Sequence, residues 1–504
     1  MMDVTIPKTW AVSALFELGE WSGGGTPSKA VEDYWTGSIP WVSPKDMKQD
    51  AIFDSEDHIS ESAVKNSTAK LIPSSSILFV TRSGILAHTF PVAVTMVPVT
   101  VNQDLKALTP FFGIEAEFLA WLLRSKGRQI IQTCSKDGTT VASIETSRLH
   151  ALPVPVPPTK EQRRIVAKIE ELFSELDKGI ENLKAAQAQL KVYRQALLKH
   201  AFEGKLTAQW RAENPDKLET AEALLERIQR ERTERYQQQL ADWEAGGKQG
   251  SKPKAPKPLP PLTIEERAEL PDLPEGWAPA KLGWMTCSVE YGTSAKSAES
   301  GDCPVLRMGN IQNGKFDWND LVFTNDANEI NQYLLRDGDV LFNRTNSPEL
   351  VGKSAIFKSN RTAIFAGYLI RVNNIPTITT SEYLNYFLNS HLAKQHGNKV
   401  KTDGVNQSNI NGEKLINYPF PFCTLEEQKE IVTLLDARVS EIDQLEQTLA
   451  TSLQQAEALR QSILKKAFSG QLVPQDPADE PAAELLARIK AEQSANPKNK
   501  KARK

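Results

Sequence analysis

At 504 residues the chain is too long for a single hydrophobic core and predicts several compact pieces. Its composition, 40% hydrophobic and 24% charged, is that of an ordinary soluble protein, and a net charge of -3 means that any surface for a polyanion must be local. There is no run of about 18 apolar residues to span a membrane, the first residues lack the basic-then-apolar order of a secretory signal, and four dispersed cysteines argue against a zinc module, so the expected location is the cytoplasm.

Residues 1–152 predict a globular α+β domain. It opens with PKTW, continues to the small-residue turn GGGTPSK, and then gives short β-branched runs such as IPWVSPKDM and SSILFVTRSG, punctuated by Gly, Pro and Ser. FLAWLLRS reads as a helix, and KDGTTVASI closes the segment. Residues 153–245 predict a helical spacer. After the proline-rich LPVPVPPTKEQ, Ile169, Leu176, Leu183, Leu190 and Leu197 share one heptad position, and Ile165, Leu172, Gly179, Ala186 and Tyr193 share the other. Such spacing predicts a long coiled-coil helix over 160–202, roughly 60 Å at about 1.5 Å per residue. The prolines mark its start and Gly204 its end. A second helix, AEALLERIQRER, runs on into a charged extension, and residues 246–271 form a linker that begins rich in Gly, Lys and Pro.

The pattern then recurs. Residues 272–418 open with PEGW and repeat the turn (YGTSAK), the apolar segment (CPVLRMGNI), the strand (GDVLFNRTNS), the helix (YLNYFLNS) and the closing TDGVNQSNI. Residues 419–504 repeat the helical part, at one constant offset as far as Leu472: Pro419, Glu427, Gln428, Ile431, Asp443, Arg460, Ala467, Phe468 and Gly470 answer Pro153, Glu161, Gln162, Ile165, Asp177, Arg194, Ala201, Phe202 and Gly204. This predicts a helix over 426–468, then AAELLARIKAEQ and a basic tail. A single-striped helix must bury its stripe. Its nearest partner is the other copy, and a globular domain lies between the two, so the expected fold is α+β: two tandem α/β domains separated by two long helices packed as an antiparallel coiled coil, with a pseudo-twofold internal repeat.

No motif for catalysis is present. GGGTPSK lacks the Lys-Ser/Thr pair of a phosphate loop, no G-x-G-x-x-G opens a helix, and no H-E-x-x-H occurs. NYPF lacks the double proline of an amino-methyltransferase turn, and His391 and His396 lack ligand-spaced partners, so no metal site is expected.

Localised charge points to nucleic acid. The stretches 119–136 and 384–401 occupy the same place in each repeat and carry basic residues with no acidic ones, as phosphate contacts would; these supply Lys126, Arg128 and Lys136, and Lys399 and Lys401. Base reading needs Arg, Lys, Asn or Gln on firm loops. In the first repeat the candidates are Lys29, Lys45, Arg82, Ser83 and Thr139, with Trp41 as an aromatic contact. In the second they are Arg307, Asn343, Arg344, Asn346, Lys353, Asn406 and Gln407. Tyr34 and Trp41 also suit a domain core.

The P-x-P-x-x-x-x-x-E-Q-x-x-I lead-in, present twice, the ALLKHAFEGKL and SILKKAFSGQL ends, and the tandem layout resemble the specificity (S) subunit of type I restriction–modification systems. GGGTPSK…YWTGSIPWVSPKDM is similar to the start of a target recognition domain. The resemblance implies a non-catalytic subunit that binds double-stranded DNA, each globular domain reading one half of a split, asymmetric target. It implies that the helices set the spacing between the halves and dock two modification (M) subunits carrying S-adenosylmethionine. Two restriction (R) subunits using ATP and Mg²⁺ would join them, with no cofactor in this chain. The alternative from the residues alone is a coiled-coil adaptor whose globular ends bind proteins.

Overall fold

The computed structural model describes residues 6–136, 141–248, 252–253, 255 and 258–495. They form two compact units, Met1–Lys184 with Ala450–Lys504, and Ala185–Leu449.

In the first unit, Gly19–Gly23, Leu105–Pro110, Ile77–Val80, Val92–Thr95 and Ala51–Ile52 lie side by side in a five-stranded sheet, antiparallel except for the last pair. Every residue of Ile77–Val80 and Val92–Thr95 is buried, as strands covered on both faces require. A three-stranded sheet places Ile39–Val42 between Asp57–Ile59 and Thr100–Val101.

The second unit repeats this order except for the fifth strand, Ala51–Ile52, which has no counterpart in its main sheet. Thr286–Tyr291, Leu369–Asn374, Val340–Asn343 and Ser354–Ile356 form its four-stranded sheet, and Cys303–Leu306 lies antiparallel to Val322–Thr324 and parallel to Ile364–Phe365. The globular repeat, only loosely visible in the residues, is therefore firm in topology.

The proline-rich lead-ins are strands. Pro153–Val156 pairs antiparallel with Ala11–Ala14, and Pro419–Phe422 with Ala278–Lys281. A two-stranded pair tolerates alternate prolines because only every second N–H faces the partner. The long helices follow, Thr159–Phe202 and Leu425–Ala467, one residue from the expected bounds.

The recurring Glu-Gln of each lead-in has a structural cause. Buried Gln162 donates to the carbonyls of Gly113 (3.3 Å) and Pro157 (2.9 Å) and accepts from the Glu115 N–H at 2.9 Å. Gln428 does the same with Ile378 (2.9 Å), Cys423 (3.1 Å) and Thr380 (3.2 Å). The carboxylate of Glu161 accepts from the Trp10 indole at 3.0 Å, and that of Glu427 from the Trp277 indole at 2.9 Å. The repeated Pro-x-x-Trp openings and the repeated Glu-Gln pairs are thus two sides of one buried joint.

Each unit is completed by the end of the helix that begins in the other half of the sequence. In the first unit Phe468 meets Phe118 edge-on at 5.6 Å, and Ile463, Leu464, Ala467, Leu485 and Ile489 join the core. In the second, Phe202 meets Tyr383 and Phe387 at 5.2 and 5.5 Å, and Leu197, Leu198, Ala201, Leu224 and Ile228 join the core. The matching AAELLARIK and AEALLERIQ segments are therefore equivalent core helices. Both helix ends stop at a glycine in the left-handed region, Gly204 at φ 70° and Gly470 at φ 73°. A Cβ on Gly204 would run into Pro274, and one on Gly470 into Pro7.

Within each unit the two helical segments run in opposite directions. Arg164 pairs with Asp479 at 2.7 Å, and further along Asp177 pairs with Arg460. In the second unit Arg194 pairs with Asp443 at 2.6 Å and Arg211 with Glu427 at 2.5 Å. One heptad stripe is covered: Ile169, Leu197, Leu435, Ile442 and Ile463 are buried, whereas on the other Ile165 and Ile431 are buried only at the start of each helix. The other is largely open, with Tyr193, Leu445 and Leu459 about half exposed.

Candidate nucleic-acid interface

In both units two separated stretches of the sequence meet on one small surface. In the first, residues after the strand Ile77–Val80 bond to the segment before the lead-in: Arg82 bridges Ser143, Ser135 bridges Ile144, and the Lys136 N–H donates to the Ser143 carbonyl at 2.9 Å. Arg82 is exposed. Ser83 turns inward, its hydroxyl accepting from the Ile85 N–H at 3.4 Å as the cap of a short helical turn. Lys136 is exposed beside them, and Thr139 lies outside the described residues.

In the second unit the same meeting is a three-stranded sheet. Thr345–Asn346 pairs with Ser408–Asn409, which pairs with Thr402–Asp403. The turn between the last two is held by the Gly404 N–H donating to the Gln407 carbonyl at 2.7 Å, and it presents Asn406, Gln407 and a fully exposed Val405. Arg344 stands at the base. Its guanidinium lies 4.9 Å over the Tyr291 ring and donates to Gly367 O at 3.3 Å and Asn409 Oδ1 at 3.4 Å. Asn346 accepts from the Ser347 N–H at 2.8 Å, and Lys401 reaches the Pro348 carbonyl at 3.2 Å. A protruding two-stranded turn with amide side chains at its tip has the form of a ribbon that enters a groove.

The remaining candidates are placed otherwise. Trp41 is buried, donates to the Gly25 carbonyl at 2.9 Å and packs edge-on against Trp35 at 5.1 Å, so it is part of the core. Lys45 is ion-paired with Asp57 at 2.9 Å and Glu56 at 3.0 Å, which raises its pKa. Lys29 sits exposed in a turn and Arg128 exposed on the helix Gly127–Cys134. Lys126 leans on the Pro153 carbonyl at 3.4 Å, and desolvation lowers its pKa. Arg307 folds onto Asp320 at 3.1 Å, and Lys399 onto Glu269 at 3.2 Å. Asn343 is fully buried; its amide nitrogen donates to the Leu350 carbonyl at 3.5 Å, while its buried Oδ1 has no protein donor. Lys353 lines a cavity in the second unit. His396, buried beside Tyr418, bonds Glu269 at 2.7 Å. Among the described residues no group of three His, Cys, Asp or Glu is arranged to hold a metal, and no helix is long and apolar enough to cross a membrane.

Sequence reading missed Tyr291, Asn409, Ser143 and Val405 on these surfaces. The signal was available for Asn409 and Ser143, because they sit at equivalent places in the two closing segments.

Residues 7–185 and 274–455 match the family model described as the type I restriction modification DNA specificity domain. The chain belongs to this family. Among members, the EcoR124I/EcoR124II specificity subunit of Escherichia coli is 42% identical over 188 residues, which are 36% of this chain and 46% of that protein. The MjaIX specificity subunit of Methanocaldococcus jannaschii is 33% identical over 200 residues, 39% and 44% of the two chains. The chain thus spans less than half the length of these two relatives. The EcoKI specificity subunit of Escherichia coli strain K12 is 28% identical over 381 residues, 73% of this chain and 69% of that one. Two solved structures share the fold. One, from work on complex assembly and conformational transition of the type I R-M system, superposes with a TM-score of 0.64 at 20% identity, covering 93% of this chain and all of the other. The HsdS subunit from Thermoanaerobacter tengcongensis gives 0.53 at 19% identity, covering 93% and 98%.

Proposed function

We propose that this chain is the non-catalytic specificity subunit of a type I restriction–modification complex, and that it binds double-stranded DNA at a bipartite, asymmetric target. The observation that carries the reading is the same two-stretch surface in both units, built on matching strands but furnished with different polar residues. The first surface offers Arg82 and Lys136, and the second Arg344, Asn346, Asn406 and Gln407. One scaffold with two different sets of base-edge donors and acceptors is what reading two unlike half-sites requires. The remaining basic candidates, Lys126, Arg128, Lys399 and Lys401, would hold phosphates and set register.

In this reading the two long helices pack as an antiparallel coiled coil with pseudo-twofold symmetry and set the spacing between the half-sites. Two modification subunits carrying S-adenosylmethionine dock on them. The half-exposed Tyr193 and Leu445 of the second unit, on the stripe that the partner helix leaves uncovered, support such a contact. Two restriction subunits using ATP and Mg²⁺ complete the assembly, and the cofactors belong to the partners. The test is selection from a random duplex pool by the chain in complex with modification subunits. The expected result is a split motif with an unread spacer. Enrichment of no sequence would leave a protein-binding adaptor instead.

A further inference from the structure

A cavity of about 520 Å³ lies inside the second unit, where the long-helix segments face the globular fold. Phe316 and Trp318 line it; both pack against Phe357, at 6.3 and 6.1 Å, which makes that side apolar and fixed. The hairpin that carries Phe316 is pinned in place, because Asn385 donates to the Gly314 carbonyl at 3.0 Å.

The charges around this space are not balanced. Lys315 is held by Asp443 at 2.8 Å, Lys358 by Glu382 at 2.9 Å, and Arg194 by Asp443 and Glu446 at 2.6 and 3.2 Å. The lining carboxylate of Asp436 accepts from the Tyr386 hydroxyl at 2.5 Å. Lys353 and Lys394 remain. Among the described residues neither has a carboxylate within the 4.0 Å of a salt bridge. Lys394 is also partly desolvated and feels the charge of Lys353, and both effects lower its pKa. Two ammonium groups facing one space with no carboxylate in ion-pair contact with either are unfavourable unless an anion joins them. A phosphate group, with several acceptor oxygens, forms charge-assisted hydrogen bonds to both. The remaining volume falls within the range of small-ligand sites and offers an aromatic face.

We propose that this cavity is a phosphate site, with Lys353 and Lys394 gripping the phosphate and Phe316 and Trp318 facing the group it carries. The phosphate comes either from the backbone of a bound duplex or from a free nucleotide. The first source rests on the DNA-binding function proposed above; the second does not.

The test uses the full chain and the double variants Lys353→Gln/Lys394→Gln and Lys353→Arg/Lys394→Arg. AMP and pyrophosphate are titrated calorimetrically, and a duplex of arbitrary sequence is followed by fluorescence anisotropy. The expected result is at least tenfold weaker binding of one probe class in the glutamine variant and recovery in the arginine variant. Loss confined to AMP and pyrophosphate identifies a free nucleotide as the ligand. Loss confined to the duplex, equal for all sequences, identifies the DNA backbone. A wild-type chain that binds AMP but no duplex leaves the cavity assignment standing with a free nucleotide as the ligand, while the DNA-binding function is judged separately by the duplex selection with modification subunits. The assignment is overturned if the wild type binds neither probe, or if the glutamine variant binds both as tightly as the wild type.

Discussion

Glutamine at the two copies of one buried glutamate should have opposite consequences. Glu427 is 1% exposed and accepts three hydrogen bonds: from Trp277 at 2.9 Å on one oxygen, and from Thr207 at 2.6 Å and Arg211 at 2.5 Å on the other. Glu427→Gln puts an amide NH₂ against one of these donor sets and leaves Arg211 without its counter-charge. Breaking a buried pair by neutralising one partner costs about 3–5 kcal/mol. Glu161 is equally buried, but its donors, Trp10 at 3.0 Å and Gln475 at 2.6 Å, share one oxygen and both are neutral. The nearby Arg164 is already engaged by Asp479 at 2.7 Å. Desolvation, the largest effect on this carboxyl, raises its pKa. Glu161→Gln keeps the accepting oxygen and removes a buried charge, so it should be neutral or stabilising by about 1 kcal/mol. Because the chain has two units, the assay is hydrogen exchange followed separately in segments of each, not a single unfolding midpoint. Glu427→Gln should speed exchange in the second unit about 100-fold or more, since about 1.4 kcal/mol is a factor of ten. Glu161→Gln should leave the first unit at wild-type rates or slower. A raised carboxyl pKa contributes stability at low pH that is lost as pH rises through the folded-state value, so the two proteins should converge as pH falls from neutral toward the ordinary glutamate value of 4.5. Equal destabilisation by both substitutions would refute the reasoning.

Alanine at Gly204 or Gly470 meets both a positive φ and the ring of Pro274 or Pro7. Each should cost about 1–3 kcal/mol and expose the helix end of its own unit to limited proteolysis before the other. Arg344→Ala should change discrimination by about 1–3 kcal/mol in one half-site only, read by methylation-site sequencing, with the circular dichroism spectrum unchanged. Removing residues 183–189, one heptad of the first long helix, should alter the spacer or abolish activity while each half-site keeps its bases; a shortened protein with the original spacer would contradict the helices as a ruler.

Periodicity and repetition made the long helices legible to within a residue, because a heptad stripe and a terminal glycine are local signals. The doubled architecture was legible for the same reason. The lead-in strands were not, because prolines read as helix boundaries and their strand partners, Ala11–Ala14 and Ala278–Lys281, lie far away in the sequence. Nor was the role of the second helices, whose Leu224, Ile228, Leu485 and Ile489 complete the cores of units that they follow or precede at long range. At the interface, residue type singled out Arg82, Arg344, Asn406 and Gln407, which lie on the two small surfaces, but it could not separate them from Trp41, Lys45 and Asn343. Those three are drawn off by a carbonyl, two carboxylates and a buried turn that only the tertiary fold brings near.

The central claim is that each globular repeat reads its own half of a split target. Exchange of residues 1–152 for the corresponding domain of another family member, followed by sequencing of methylated sites in cells carrying the modification subunits, tests it most directly. The account predicts that one half of the methylated motif changes while the other half keeps its bases. A change in both halves, or in neither, would contradict it.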